Sequence, residues 1–165
     1  MRAVRPEEVR RWLGLALPRV LRSDEEASEL AQALRRARLD GRALRAHAAF
    51  RARGYARRVL VDLEGWEIVL VGWLPGQATR VHDHGRSWGA IRVLSGCLDE
   101  QRFDAGLAPT ARRLLHAGSA FHEAPDTIHR VANPAAAPAV SLHLYSPAPL
   151  QMRTYRVGGV PPRGG

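Results

Sequence analysis

The chain has 165 residues, of which 45% are hydrophobic, and a formal net charge of +9 at pH 7. A chain of this length is expected to form one domain with its own core, and no apolar run is long enough for a transmembrane helix. All 25 basic residues are arginines scattered along the chain, so the charge favours solubility and a mild attraction for small anions. We expect neither a membrane nor a nucleic-acid partner.

Residues 1–53 have the pattern of helices. The first segment, PEEVRRWLGLAL, opens with Pro6 and two acids, which suit a helix N-terminus. The second offers a capping box, Ser23 with Glu26, and a third helix can begin at Asp40. We interpret this region as a helical cap on the main body of the chain, because no linker separates the two.

From Tyr55 the pattern changes to short strands rich in β-branched or aromatic residues, punctuated by Gly, Pro, Asp or Asn. The strand segments are RVLVDL, WEIVLVGWL, GAIRVLSG, CLDEQRF, ARRLL, AFHEA, IHRVAN, AVSLHLYS and MRTYRV. Many short strands at regular spacing predict a sandwich or a barrel. We therefore expect a mainly β fold in a single domain, 1–165, with the barrel at 55–157 and a loose tail at 158–165.

Two histidines flank an aspartate in the segment RVHDHGRS. Residues i and i+2 of a strand point to the same face, so His82 and His84 can converge on one metal ion while Asp83 points away. An isolated pair of this kind is also typical of two solvent-facing histidines, and the residues around it favour the metal.

The spacing around this pair resembles the first motif of the cupin superfamily. Gly76 precedes the pair, Gly96 follows it, and Gly89 stands where another family would place glutamate. Downstream, PDTIHRVAN resembles the second motif, whose core is a histidine followed after three residues by asparagine, here His129 and Asn133. Its proline-to-histidine spacing is one residue shorter than the usual pattern.

This resemblance implies a cupin double-stranded β-barrel, or jelly roll, with the N-terminal helices as a cap. Both motifs place ligands inside the barrel, which gives the candidate metal set His82, His84 and His129. Three neutral imidazoles leave the charge of a divalent ion uncompensated and invite anionic substrate groups. A six-coordinate ion would keep three open positions, whereas a tetrahedral zinc ion would keep one for water. Imidazole suits Zn, Cu, Fe and Ni alike, so the residues themselves leave the metal open.

A closer resemblance is to the cysteine dioxygenase family, in particular its bacterial members. It rests on WLPGQATRVHDHGRSWG, IHRVAN and SLHLYSP in this order, and on Tyr55-Ala56-Arg57, which is similar to the family's Tyr-x-Arg element. The similarity extends from Tyr55 to Pro147. It implies a mononuclear non-haem Fe(II) enzyme that uses dioxygen to convert a thiol to a sulfinate, with both oxygen atoms placed on sulfur.

Ser141, His143 and Tyr145 alternate along SLHLYSP, so all three lie on one strand face. They resemble the Ser-His-Tyr relay of the family. By that resemblance Tyr145 would hydrogen-bond substrate or oxygen, His143 would orient Tyr145, and Ser141 would hold His143. A half-buried strand with satisfied polar groups is the plainer interpretation. A nucleophilic serine is a poor alternative, because no G-x-S-x-G turn marks one.

The resemblance also implies the substrate contacts. Arg57 resembles the family's carboxylate clamp, and a guanidinium suits this task because it can bind a carboxylate bidentately. Arg58 stands where the family commonly has asparagine, so a shift of one residue would move the clamp. The other residues expected at the substrate are Tyr55, Trp73 and Val71.

One departure from the family concerns a covalent link. Animal members join a cysteine to the tyrosine that corresponds to Tyr145, but Gly89 occupies the cysteine position and Cys97 lies eight residues further on. We therefore expect no thioether. The family also suggests that the Ser146–Pro147 bond is cis, which the sequence alone does not determine.

L-Cysteine is the expected substrate, because the branch of the family that oxidises 3-mercaptopropionate carries Gln at the clamp. A 3-mercaptopropionate dioxygenase, another cupin enzyme and a non-catalytic cupin that binds a small ligand stay open as alternatives. The expected cofactor is Fe(II), and the expected partners are a small thiol and dioxygen. Oligomeric state is not determined by the sequence, and a monomer is our expectation. A single cysteine and the absence of a signal-peptide pattern favour the cytoplasm.

Overall fold

A computed structural model describes residues 4–63, 65–149 and 152–158. Residues 159–165, which hold nearly all of the predicted tail, lie outside the described residues. The helices are α1 (Pro6–Leu13), α2 (Asp24–Arg36) and α3 (Gly41–Ala46). The strands are β1 (Ala56–Leu63), β2 (Trp66–Trp73), β3 (Val81–His82), β4 (Trp88–Ser95), β5 (Cys97–Phe103), β6 (Pro109–His116), β7 (Ala120–Glu123), β8 (Ile128–Ala132), β9 (Ala139–Ser146) and β10 (Thr154–Tyr155). None of the described helices has both the length and the apolar character that crossing a membrane requires.

The helices begin where local hydrogen bonds satisfy their first amides. Oγ of Ser23 accepts a hydrogen bond from the amide of Glu26 over 3.2 Å. The Glu26 carboxylate accepts from the amide of Arg22, at 2.7 Å, rather than from Ser23 as a full capping box requires. The side chain of Asp40 caps α3 in the same way as Ser23 caps α2. These interactions explain why the cap is helical despite its short elements.

Two five-stranded antiparallel sheets form the rest of the molecule. Their strand orders are β1-β2-β9-β4-β7 and β10-β3-β8-β5-β6. The prediction of a mainly β fold is confirmed, and each of the nine predicted strand segments overlaps one of the strands. The additional strand, β3, ends at His82 because Oδ1 of Asp83 accepts a hydrogen bond from the amide of Gly85 over 2.9 Å and turns the chain.

The first sheet has a buried side chain on almost every position of its central strands, because both of its faces are covered. Alternate residues point to opposite faces of a strand. One set packs against the helices, and the other set faces the second sheet across the barrel interior. The helix-facing set includes Ile68, Leu70, Ala90, Leu142 and Leu144, and the inward set includes Val69, Val71, Trp73, Ile91, Val93 and Tyr145.

Close backbone approaches attach the N-terminal region to this sheet. Oγ of Ser146 is buried and accepts a hydrogen bond from the amide of Leu21 over 3.0 Å. At Gly72 the preceding segment passes so closely that an added Cβ would lie 2.0 Å from the carbonyl oxygen of Ala49. The bond between Ser146 and Pro147 is cis. The cap therefore packs against the outer face of the sheet whose inner face lines the barrel.

Candidate metal centre

The imidazole of His82 is oriented by its own backbone neighbourhood. The residue ends β3 and lies opposite His129 in the pairing of β3 with β8. Its Nδ1 donates a hydrogen bond to the carbonyl oxygen of Arg80 over 2.9 Å. Because Nδ1 carries the hydrogen, Nε2 keeps its lone pair and can bind a metal ion.

A buried carboxylate orients His129. Nδ1 of His129 donates to Oε1 of Glu100, 3.1 Å away on β5. Glu100 is fully buried, and its charge is balanced by Arg102, whose Nε lies 3.2 Å away, and by Arg113. This carboxylate–imidazole pair fixes the ring so that Nε2 of His129 faces His84, an arrangement common among metal-binding histidines.

The third ring, that of His84, completes the cluster from the turn that follows β3. Its Nε2 lies 2.9 Å from Nε2 of His129, and its ring centroid lies 5.1 Å from that of His82. One nitrogen from each of the three rings lies within 4.8 Å of the others. The structure thus brings together the three histidines that the sequence singled out, although the strand ends before His84 rather than continuing through it.

A carboxylate that the sequence analysis missed lies against the cluster. Glu123, the last residue of β7, is 1% exposed. Its Oε2 is 2.7 Å from Nε2 of His84, and its Oε1 is 2.9 Å from Nδ1 of His129. The segment AFHEA contained the signal, because the period of two places Glu123 on the same inward face as Phe121. A charged residue on an apolar strand face is expensive to bury and is a sign of function.

The histidines hold different charges in the absence of metal. Burial, together with His129 and His84, lowers the pKa of His82 to about 3. Burial also acts to lower the pKa of His129, but the carboxylates of Glu123 and Glu100 outweigh it and raise that pKa to about 9. At neutral pH a proton therefore resides on His129, and a metal ion must displace it on binding.

The donor set fits a divalent first-row metal ion. The outward-facing nitrogens of His82 and His129 are held by a carbonyl and a carboxylate, and their Nε2 atoms point into one space. Imidazole nitrogens are typical ligands for such ions. Among the described residues, Nδ1 of His84 is buried without a hydrogen-bond partner.

Ser141, His143 and Tyr145 form a continuous hydrogen-bonded chain beside the histidines. Oγ of Ser141 lies 2.7 Å from Nε2 of His143, and Nδ1 of His143 lies 3.0 Å from the hydroxyl of Tyr145. Trp73 extends this chain, since its Nε1 donates to Oγ of Ser141 over 3.0 Å. The ring centroid of Tyr145 is 5.1 Å from that of His84, so the chain ends at the metal cluster.

The polarity of this chain follows from its donors. The indole of Trp73 can only donate, so Oγ of Ser141 accepts that hydrogen bond. The Ser141 hydroxyl then donates its own hydrogen bond to Nε2 of His143. Burial lowers the pKa of His143 to about 3, so this ring is neutral and its one hydrogen lies on Nδ1. Nδ1 then donates to the Tyr145 hydroxyl, whose own hydrogen is left for a ligand in the cavity.

A cavity of about 50 Å³ joins the histidines to the predicted substrate residues. Tyr55, Arg57, Val71 and Trp73 all line it, and the rings of Tyr55 and Trp73 stack with centroids 5.0 Å apart. The structure adds a contact that the sequence did not indicate. The guanidinium of Arg57 forms an ion pair with Glu67, whose side chain is 15% exposed.

Gly89 leaves open the space beside the Tyr145 ring. A Cβ at this position would lie 3.3 Å from Cε1 of Tyr145. Gly89 also pairs with Tyr145 on one side and with Glu123 on the other. Cys97 begins β5 on the other sheet and is half-buried.

Comparisons with known proteins agree with this geometry. The family model described as cysteine dioxygenase type I matches residues 13–157. The zebrafish (Danio rerio) protein named cysteine dioxygenase type 1 is 32% identical over 111 residues, which cover 61% of this chain and 55% of that protein. The chain thus spans about half the length of the curated relatives it matches.

Two solved structures share the fold. The protein TT1209 from Thermus thermophilus superposes with a TM-score of 0.56 at 27% identity, covering 63% of this chain and 93% of that one. A Klebsiella pneumoniae protein with a double-stranded β-helix domain superposes with a TM-score of 0.60 at 17% identity, covering 69% and 95%. The cupin barrel expected from the sequence is therefore confirmed.

Proposed function

The chain belongs to the cysteine dioxygenase type I family, and from this premise we propose that it is an Fe(II)- and dioxygen-dependent thiol dioxygenase that converts L-cysteine to cysteine sulfinate. The reaction balances without a further reductant, because the thiol and one dioxygen molecule together contain all the atoms of the sulfinic acid. The observation that carries the proposal is the convergence of one nitrogen from each of three imidazoles at a cavity that a buried tyrosine also lines.

In this proposal His82, His84 and His129 hold the iron through Nε2. A bound ferrous ion supplies the redox chemistry that joins dioxygen to a thiolate, and it lowers the pKa of the thiol that it binds. The hydrogen bonds from His82 to Arg80 and from His129 to Glu100 keep the rings in the orientation that this role requires.

Arg57 would bind the substrate carboxylate. Its guanidinium lines the cavity, and bidentate binding is the geometry in which guanidinium and carboxylate interact best. The ion pair with Glu67 means that an incoming carboxylate has to share or displace that partner. Tyr55 and Trp73, which stack on each other, and Val71 would form the apolar wall against which the substrate carbon atoms pack.

Tyr145 would act as a hydrogen-bond donor to the reacting groups. Burial and the nearby charge of Glu123 raise the pKa of Tyr145 well above its usual value, so the hydroxyl keeps its hydrogen at neutral pH. His143 and Ser141 hold this hydroxyl in place from behind. A cupin that only binds a small ligand has no need of a relay of this kind aimed at its metal site.

The experiment is a substrate comparison. The protein is loaded with Fe(II) without oxygen, and oxygen uptake and sulfinate formation are then followed with L-cysteine, 3-mercaptopropionate and cysteamine. We expect one sulfinate for each dioxygen consumed and the highest kcat/KM with L-cysteine. A higher kcat/KM with 3-mercaptopropionate would make that compound the substrate. No oxygen uptake with any thiol would leave a binding protein or a different cupin chemistry.

A further inference from the structure

The carboxylate that orients His129 is compensated from two sides. Oε1 of Glu100 faces Nδ1 of His129 and Nε of Arg102, which lie 3.1 Å and 3.2 Å away. The other oxygen, Oε2, accepts a hydrogen bond from Nε of Arg113. Because Glu100 is fully buried, its charge has to be stabilised by these neighbours rather than by water.

Arg113 reaches this buried carboxylate from an exposed edge of the barrel. It lies on β6, the edge strand of the second sheet, directly opposite Glu100 on β5. Its side chain is 41% exposed, yet its guanidinium carbon lies 4.5 Å from the ring centroid of Phe121, which lines the cavity. A cation at the surface is therefore fixed by two contacts against the support of a predicted metal ligand.

The charge on Glu100 affects any ion that His129 binds. A carboxylate behind a metal-binding imidazole makes that ring a stronger electron donor. A stronger donor stabilises ferric iron more than ferrous iron, because the ferric ion carries the higher charge. A guanidinium on the carboxylate opposes this effect in two ways. It draws electron density away from the hydrogen bond to the ring, and its own positive charge repels a ferric ion more strongly than a ferrous one.

We infer that Arg113 is a positioning residue that acts through Glu100 and His129 to hold the bound iron in the ferrous state. The inference deepens the proposed function and rests on its iron, but not on the identity of the thiol. It concerns the protein before a substrate arrives. A centre with a higher reduction potential loses fewer electrons to dioxygen, so the iron is still ferrous when a thiol binds.

Arg102 also compensates Glu100, but it has a second task. Its Nη2 donates to the carbonyl oxygen of His122 over 3.3 Å and so connects β5 to β7. A substitution of Arg102 would therefore disturb the packing of the barrel as well as the charge. A substitution of Arg113 leaves Arg102 in place, and Glu100 keeps one guanidinium partner.

The test is a redox titration of the iron-loaded protein without thiol, in which the EPR signal of high-spin Fe(III) gives the ferric fraction. At the potential that leaves wild-type iron half ferric, we expect the ratio of ferric to ferrous iron to be about fivefold higher in Arg113→Gln. Arg113→Lys keeps the charge and should have a ratio within about twofold of the wild type.

Arg112→Gln is the matched control. It removes the same charge from the adjacent residue, whose guanidinium pairs with Asp99 over 2.7 Å instead of with Glu100. We expect its ratio of ferric to ferrous iron to stay within about twofold of the wild type, because an exposed charge without this contact is screened by water. A shift in Arg112→Gln as large as that in Arg113→Gln would overturn the assignment to Arg113.

A double-mutant cycle tests whether Arg113 acts through Glu100. In the Glu100→Gln background, loaded with excess Fe(II), Arg113→Gln should change the ratio by less than about twofold. The same change in both backgrounds would overturn the route through Glu100, and a wild-type ratio in Arg113→Gln would overturn the inference as a whole.

Should Arg113→Gln fail to fold, Arg113→Met keeps an aliphatic stem over Phe121 and removes the charge, and a wild-type ratio in this variant would overturn the inference equally. A wild-type chain that oxidised no thiol, while Arg113→Gln still shifted the ratio, would remove the proposed function and support the inference. A wild-type chain that bound no iron would overturn both.

Discussion

The indole Nε1 of Trp73 donates a hydrogen bond to Oγ of Ser141 over 3.0 Å, at the far end of the relay from the metal cluster. This bond sets the direction of the hydrogens that reach Tyr145. We expect Trp73→Phe, which keeps the aromatic stack with Tyr55, to lower kcat about fivefold, the effect of losing about 1 kcal/mol. Tyr145→Phe removes the donor itself and should lower kcat about 100-fold.

The measurement for this first prediction is steady-state sulfinate formation with L-cysteine. Trp66→Phe is the matched control, because the indole of Trp66 donates to the carbonyl of Pro18, away from the cavity residues. We expect this control to retain the wild-type kcat. Equal kcat values for Trp73→Phe and the wild type would show that the relay does not depend on its first hydrogen bond.

If Arg57 binds the substrate as proposed, its ion pair with Glu67 opposes the binding of a substrate carboxylate. Glu67→Gln keeps the size of the side chain and releases the guanidinium, so the KM for L-cysteine should fall by about twofold to fivefold. Cysteamine has no carboxylate, and its KM should not change. Steady-state oxygen uptake gives both constants. A higher KM for cysteine would mean that Glu67 positions Arg57 rather than competing for it.

Glu100 should control metal affinity without touching the ion. Glu100→Gln keeps an acceptor oxygen for Nδ1 of His129 but loses the charge, and we expect Fe(II) to bind about 10- to 100-fold more weakly. Competition with a chromogenic chelator measures the change. The adjacent Asp99 faces Arg112 instead of the histidines, so Asp99→Asn should bind iron as tightly as the wild type.

Gly72 is required for docking of the N-terminal region. An alanine Cβ there would meet the carbonyl oxygen of Ala49 at 2.0 Å, so the backbone of one segment has to move. We expect Gly72→Ala to lower the free energy of unfolding by about 1–3 kcal/mol in urea denaturation. At Gly158 an added Cβ has no atom within 4 Å, so the free energy of unfolding of Gly158→Ala should equal that of the wild type.

The hydroxyl of Tyr155 donates to Oδ2 of Asp83 over 2.5 Å, and Tyr155→Phe should destabilise the fold by about 1 kcal/mol at pH 7. Burial acts to raise the pKa of Asp83, but the hydrogen bonds from Tyr155 and from the Gly85 amide, with the charge of Arg153, hold this pKa below its usual value. A lowered folded pKa gives a stabilisation that is present above the unfolded value and is lost as the pH falls through the folded one.

The cost of Tyr155→Phe should therefore be constant from neutral pH to about pH 5 and shrink below about pH 4. Urea denaturation of the wild type and of Tyr155→Phe across this pH range measures the difference in the free energy of unfolding. A difference that stayed the same at pH 3 would assign the stabilisation to packing of the ring rather than to the charged acceptor.

Local patterns in the sequence were sufficient to predict most of the helices and strands. The helical segments, the nine strand segments and the pairing of His82 with His84 depend on residues close together in the chain, whereas His129 was added by the family resemblance. The order of the strands does not depend on such local patterns, because β2 pairs with β9 across more than 60 intervening residues, and no periodicity encodes such a partner. The barrel itself came from a family resemblance.

The sequence analysis missed two contacts at the site because they also depend on how distant strands are arranged. Glu123 meets His84 only because β7 lies beside β4 in one sheet while His84 follows β3 in the other. Glu67 meets Arg57 diagonally across the β1–β2 hairpin, in which Arg57 pairs with Val71. In both cases the type of residue was visible in the sequence, but its partner was defined by a strand pairing that the sequence does not state.

The segment that ends in β10 supports the metal site from a distant part of the chain. Thr154 pairs with His82, the backbone carbonyl of Arg153 accepts from the Asp83 amide, and Met152 lines the cavity. Residues 152–155 follow all three histidines in the chain. A chain that stopped before Met152 would therefore lack the strand that pairs with His82 and one side chain of the cavity wall.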